Sequence, residues 1–238
     1  MASSIGSSHR CPRPYSELGR NLRHGLAVVA LGAALWNQAA AAMPDYLRAA
    51  LDHFSAEVPA GWAYTQTTVR GDESTTERFD PSHPPDGQWT LRSHNHQPPT
   101  AEELEKYLKF NAASAPPLVQ APFQKTDIDP GSFELVREDA DRAEFSGAFR
   151  AESSGADKML GHLRLILTVH KRPAWIEKFS LELREPYSPV LGVKMNSLVV
   201  RMSFSAPGSD RPSLPARSTS LFSGRIFFVP TAEDLRVD

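Results

Sequence analysis

The sequence predicts a mainly β fold of the α+β class: a long curled antiparallel sheet forming an unclosed half-barrel, with amphipathic helices packed on the concave side as a lid. Three observations predict it. Apolar and polar residues alternate with a period of two through most of 62–93 and 133–238, as in strands with one face on a core and one on water. The links between these runs are short, so consecutive strands pair antiparallel. Residues 44–58 instead carry apolar side chains at the i, i+3, i+4, i+7 spacing of a helix face. A sheet of nine or ten strands curls, and a curled sheet under a helix encloses an apolar interior.

Leu47, Ala50, Leu51 and Phe54 form the stripe of the first helix; Pro44 suits its first turn and Pro59-Ala60-Gly61 ends it. "WAYTQTTVR" (62–70) and "STTERFD" (74–80) read as paired strands. "QWTLRS" (88–93) is a third, with Trp89 and Leu91 on one face. Between them "PSHPPDG" is a turn, with prolines fixing φ and Asp86-Gly87 as the turn pair. "TAEELEKYLKF" opens a second helix on a Thr100/Glu103 capping box, with Leu104, Tyr107 and Leu108 as its stripe, and "SAPPLVQAPF" closes it.

Strand signal dominates from Phe133 onward. "FELVRED" and "RAEFSGAFR" lead into "KMLGHLRLILTVHK", where Leu163, Leu165, Leu167 and Val169 oppose His162, Arg164, Thr168 and His170. "WIEKFSLELRE" sets Trp175, Phe179, Leu181 and Leu183 against Lys178, Ser180, Glu182 and Arg184. "VKMNSLVVRMSFS" puts Leu198, Val200, Met202 and Phe204 on one face; "ARSTSLFSGRIFFVP" and a short tail "EDLRVD" finish the sheet.

With 238 residues, 40% of them apolar, the chain is long enough for one sizeable core. A formal net charge of −2, without a basic block in the body of the chain, argues against nucleic acid. In 1–42, Arg10, Arg13, Arg20, Arg23 and His24 precede the apolar run "GLAVVALGAALW" (25–36), and Ala40-x-Ala42 offers a cleavage site: a secretory signal peptide. Uncleaved, 25–43 would be a marginal N-terminal anchor. The one cysteine, Cys11, precedes that run, so residues 43–238 form a single domain without disulfide, thiolate metal site or cysteine nucleophile. An unlipidated, monomeric protein exported to a bacterial periplasm is expected.

His94 and His96 share a strand face, and Asp80, His83 or Asp86 could complete a metal site; the other reading is a solvated hairpin tip. Neither an HExxH pair nor a cysteine pair supports the metal. There is no G-x-S-x-G elbow, phosphate loop or dinucleotide fingerprint, and Ser153 and Ser154 sit in a turn sequence. Glu102 and Glu103 suit the helix dipole and the cap. Neither a cofactor nor a catalytic group is expected. The aromatic residues Trp62, Tyr64, Trp89, Phe145, Phe149, Trp175 and Phe179 fall at alternating strand positions and would stack along one inner face. They read either as core or, with Leu91, Leu163, Leu165, Leu167 and Leu181, as the lining of an apolar pocket. Such a pocket holds acyl chains at about 0.8 kcal/mol per buried CH₂.

An exported chain that opens with an amphipathic helix and continues as a long antiparallel sheet resembles the LolA/LolB-like periplasmic lipoprotein-carrier superfamily. "RFDPSHPPDGQWTL", "QPPTAEELEKY", "REPYSPVLGVKMNSLVVRMSF" and "SGRIFFV" are similar to segments of an exported proteobacterial branch of that fold. The resemblance spans most of 45–238. It implies a non-enzymatic carrier or chaperone that shelters lipoprotein acyl chains or lipid in a hydrophobic cavity, here as a soluble shuttle because a lipobox is missing. No acyl-binding motif transfers residue by residue, and the proline-rich excursion at 81–122 departs from the sorting carrier. The alternative is a periplasmic protein–protein interaction module without a small ligand, holding another envelope protein by a sheet edge or by the proline-rich segment.

Overall fold

The structure is a computed structural model and describes residues 43–238 apart from 56, 112–122 and 151–158. The basic and apolar segments of 1–42, the Ala40-x-Ala42 motif, Ser153, Ser154 and most of "SAPPLVQAPF" lie outside the described residues.

Ten strands form one antiparallel sheet: β1 Tyr64–Arg70, β2 Glu73–Phe79, β3 Trp89–His94, β4 Glu134–Glu138, β5 Arg142–Gly147, β6 Leu163–Lys171, β7 Ala174–Leu183, β8 Val193–Phe204, β9 Pro215–Ile226 and β10 Val229–Val237. Their spatial order is β3-β2-β1-β10-β9-β8-β7-β6-β5-β4, with β3 and β4 as free edges, so the sheet does not close. Among the described residues, two α-helices accompany it, α1 Asp45–Asp52 and α2 Ala101–Asn111. The fold is thus mainly β with an unclosed antiparallel sheet, as the period-two alternation requires.

The register stacks apolar residues across strands. Phe145, Leu167, Phe179 and Met202 stand opposite one another in turn, as do Gly147, Leu165, Leu181 and Val200. Such cross-strand contacts are the unit that stabilises a sheet. Leu47, Ala50 and Leu51 of α1 are buried against these rows. Tyr46 reaches the Glu138 carboxylate (2.9 Å), which Lys171 also engages (2.8 Å), so the helix is latched to the β4 edge as well.

Three elements differ from the sequence expectation, each for a local reason. α1 stops at Asp52, not near 58: the Ser55 hydroxyl accepts from the Glu57 N–H (3.2 Å), a local bond that competes with helix propagation. Phe54 therefore leaves the helix, yet its ring still meets Phe123, Phe179 and Phe204. In β7 the register slips, with Thr168 opposite Lys178 but Val169 opposite Ile176, leaving Glu177 unpaired. This bulge corrects the expected face: Ile176 is buried in the core, and Trp175 is turned out of the row that holds Phe179 and Leu181. Finally, "IFFVP" is not one run. The chain reverses at 227–228, and β10 begins at Val229.

α2 carries the expected capping box, with Thr100 N–H donating to Glu103 (2.7 Å) and Glu103 N–H to the Thr100 hydroxyl (3.3 Å). It lies beside β3 with Leu104 and Leu108 38% and 52% exposed, while α1 covers the apolar interior.

Candidate functional site

The inner face of the sheet has two chemistries. Across β5–β8 it is apolar, and Ala143, Phe145, Phe149, Leu163, Leu165, Leu167, Phe179 and Leu181 are all buried with α1 in one packed cluster. Across β1–β3 it is polar. Gln66 and Glu77, both buried, meet through Nε2 and Oε2 (3.0 Å), and the Tyr107 hydroxyl donates to the other Glu77 oxygen (2.8 Å). Among the described residues, Gln66 Oε1 and Thr68 Oγ1 are buried without a hydrogen-bond partner on this face. Tyr64, Phe79 and Trp89 close the end of this region as a ring cluster, with centroids 5.2–5.7 Å apart. Burial, and then the charge of Glu77, push the Tyr64 phenol above its ordinary pKa.

Two clefts among the described residues lie at one end of the sheet. A cleft of about 780 Å³ is bounded by the end of α1 (Ala50, His53, Phe54, Ser55), the β6–β7 turn and start of β7 (Pro173, Ala174, Trp175, Ile176) and the loop at 207–213. Its apolar surface comes from Ala50, Phe54, Ala174, Trp175 and Ile176. Its polar surface comes from His53, Ser209, Asp210 and Arg211. A second cleft of about 260 Å³ takes Val58, Trp62, Tyr64 and Gln66 from the α1–β1 connection and β1, with Leu214, Pro215 and Val237 opposite. The same two segments, 53–63 and 207–217, supply both clefts.

The apolar residues expected to line a pocket therefore divide into three groups. Phe145, Phe149, Leu163, Leu165, Leu167, Phe179 and Leu181 fill the interior under α1. Trp175 stands in the wall of the larger cleft, and Trp62 and Tyr64 stand in the smaller. Trp89 is buried in the ring cluster, and half-buried Leu91 lies opposite Glu77 on the same face. Sequence reasoning missed His53 and the 207–213 loop. The signal was present, since "SAPGSDRPSL" (205–214) is a ten-residue link between two long strands, where a hairpin needs about 2–5.

The two histidines do not converge. His94 Nδ1 lies 2.5 Å from Glu103 Oε1, which joins β3 to α2, whereas His96 Nε2 faces the Ser74 hydroxyl at 3.4 Å. Among the described residues, no group of three or more His, Cys, Asp or Glu side chains is placed to hold a metal. The chain matches no family model, no curated protein and no solved structure.

Proposed function

We propose that this chain is an exported, non-enzymatic binding protein for a hydrophobic ligand with a polar head, an acyl lipid or a lipoprotein's acyl group, held in the cleft at the end of the sheet. The observation that carries it is the make-up of that cleft: about 780 Å³, with Phe54, Trp175 and Ile176 as apolar wall and His53, Asp210 and Arg211 at the polar side. Ligand pockets commonly measure about 300–1,000 Å³ and are apolar with a few polar groups. Burial of each methylene contributes about 0.8 kcal/mol, so a chain of modest length is held without a charged anchor. The apolar cluster packed under α1 favours the cleft beside the helix as the binding site. The basic and apolar segments of 1–42 support export to a periplasm, and the unclosed sheet supports the carrier resemblance.

Tryptophan emission, titrated with a long-chain fatty acid and with a lysophospholipid, tests this reading. The expected result is a saturable change that disappears in Trp175→Phe, with weaker binding in Ala174→Trp, whose added ring fills the cleft. A delipidated wild-type protein that gives no saturable change with either compound would overturn it.

A further inference from the structure

At the end of the sheet opposite the cleft, three strands run on beyond their neighbours. β10 pairs with β1 only through Leu235, Arg236 and Val237, and β8 pairs with β7 only from Val199 to Ser203. Beyond those points β8, β9 and β10 continue together, from Val193 opposite Ile226 and from Val229 opposite Ile226. The segment at 187–192 lies along this arm through paired Tyr187–Met195 backbone hydrogen bonds of 2.9 and 2.8 Å.

The tip is built as one unit. Phe227 N–H donates to Gly192 O, and Phe227 itself sits at φ +53°, costly for a bulky side chain. Gly192 is at φ +83°, and a Cβ there would come within 2.8 Å of the Phe227 ring, so only glycine lets the turn and the loop meet. What this clamp presents is apolar. Leu191 and Phe228 are 98% and 96% exposed, and Val190, Ile226, Phe227 and Val229 are exposed beside them. Lys194 and Arg225 stand directly opposite each other in the register and line the same shallow groove as Leu191 and Phe228. Neither is paired with a carboxylate among the described residues. Like charges directly opposite weaken an antiparallel pair, so their joint placement calls for an external anion.

We propose that this arm is a membrane-docking element, with Leu191 and Phe228 entering the acyl region of a bilayer and Lys194 and Arg225 meeting anionic lipid phosphates. A protruding apolar tip backed by unpaired cations follows the layering of such a surface, apolar within and negative at the headgroups. A contiguous exposed apolar patch of this kind marks an interaction site. The inference does not rest on the ligand proposed for the cleft, which lies at the other end of β8.

Co-sedimentation of the full chain with phosphatidylcholine vesicles, with and without phosphatidylglycerol, tests it. Leu191 and Phe228 touch little of their own protein, so Leu191→Ser with Phe228→Ser leaves the fold intact, and the apolar run at 25–36 is common to all variants. The expected result is partition weaker by about tenfold or more in that double variant. Lys194→Gln with Arg225→Gln should lose the preference for phosphatidylglycerol. In a Cys11→Ser, Leu191→Cys protein, an environment-sensitive fluorophore at position 191 should brighten on vesicles. Three outcomes would overturn the proposal: equal partition of wild type and the Leu191/Phe228 variant, a fluorophore unchanged on vesicle-bound protein, or a wild-type dimer without vesicle binding that the variant dissociates, which would give the tip to a second copy.

Discussion

Glu103 accepts three hydrogen bonds, from His94 Nδ1 at one oxygen (2.5 Å) and from the Thr100 N–H and hydroxyl at the other (2.7 and 2.9 Å). His94 first, and then Thr100, hold its carboxyl at about 2 against an ordinary 4.5. The folded value is the lower one, so the pairing contributes fully above pH 4.5 and is lost as pH falls from 4.5 toward 2. Carboxyl NMR should show Glu103 titrating well below the ordinary carboxylate range, and His94→Ala should move its midpoint upward; an unmoved midpoint would refute the link between β3 and α2. Tyr46 runs the other way: burial, and then the Glu138 hydrogen bond, push its phenol up to about 12. Its contribution is present below pH 10 and lost as pH rises through 12. Absorbance at about 295 nm should show a tyrosine transition at high pH that is lost in Tyr46→Phe. At this scale the capping box was legible, because Thr and Glu three apart before an apolar stripe carry a local mechanism. The His94 contact was not, because it depends on α2 returning to β3.

Among the elements, α1 carries the packing. Leu47→Ala removes a side chain with no exposed surface from the middle of the cluster and should cost about 2–5 kcal/mol in urea unfolding. Tyr46→Phe, which loses one hydrogen bond at the solvent-facing latch, should cost about 1 kcal/mol or less. The reverse order would mean that the latch, not the apolar face, holds the helix. At β4 the exposed edge carries Leu135 and Val136, yet its register slips between Leu135 and Arg137, and Glu134, Arg137 and Glu138 surround them. Bulges and charges discourage edge-to-edge pairing. Glu134→Val with Arg137→Val should therefore show concentration-dependent self-association in sedimentation beyond that of the wild type. The helix stripe and most strands were legible because their periods are local. The end of α1, the β7 bulge at Glu177 and the reversal at 227–228 were not. A hydroxyl-to-backbone bond, an unpaired residue and a phenylalanine-only turn leave the hydropathy pattern unbroken.

Across the whole molecule, the sheet is assembled from two meanders. β4 to β10 follow one another in space, while β1–β3 join the far side through β1 and β10. Sequence order does not announce that pairing, since it brings together residues near 68 and 237 through only three register pairs. The same pairing separates the chemistries: an apolar interior under α1, a polar inner face on β1–β3, and clefts where 53–63 and 207–217 meet. The aromatic residues read as one inner face, either core or pocket lining, and the fold distributes them among interior, cleft wall and ring cluster. Alternation reports which face a residue takes, not whether a helix already fills the space above it.

The most direct test of the ligand proposal is native mass spectrometry of the protein purified from its producing cell, before and after organic extraction, for wild type and Ala174→Trp. The account predicts a mass excess matching an acyl species on the wild type, removed by extraction and reduced in the variant. A bare polypeptide mass in the wild-type sample, with no uptake when lipid is added back, would contradict it.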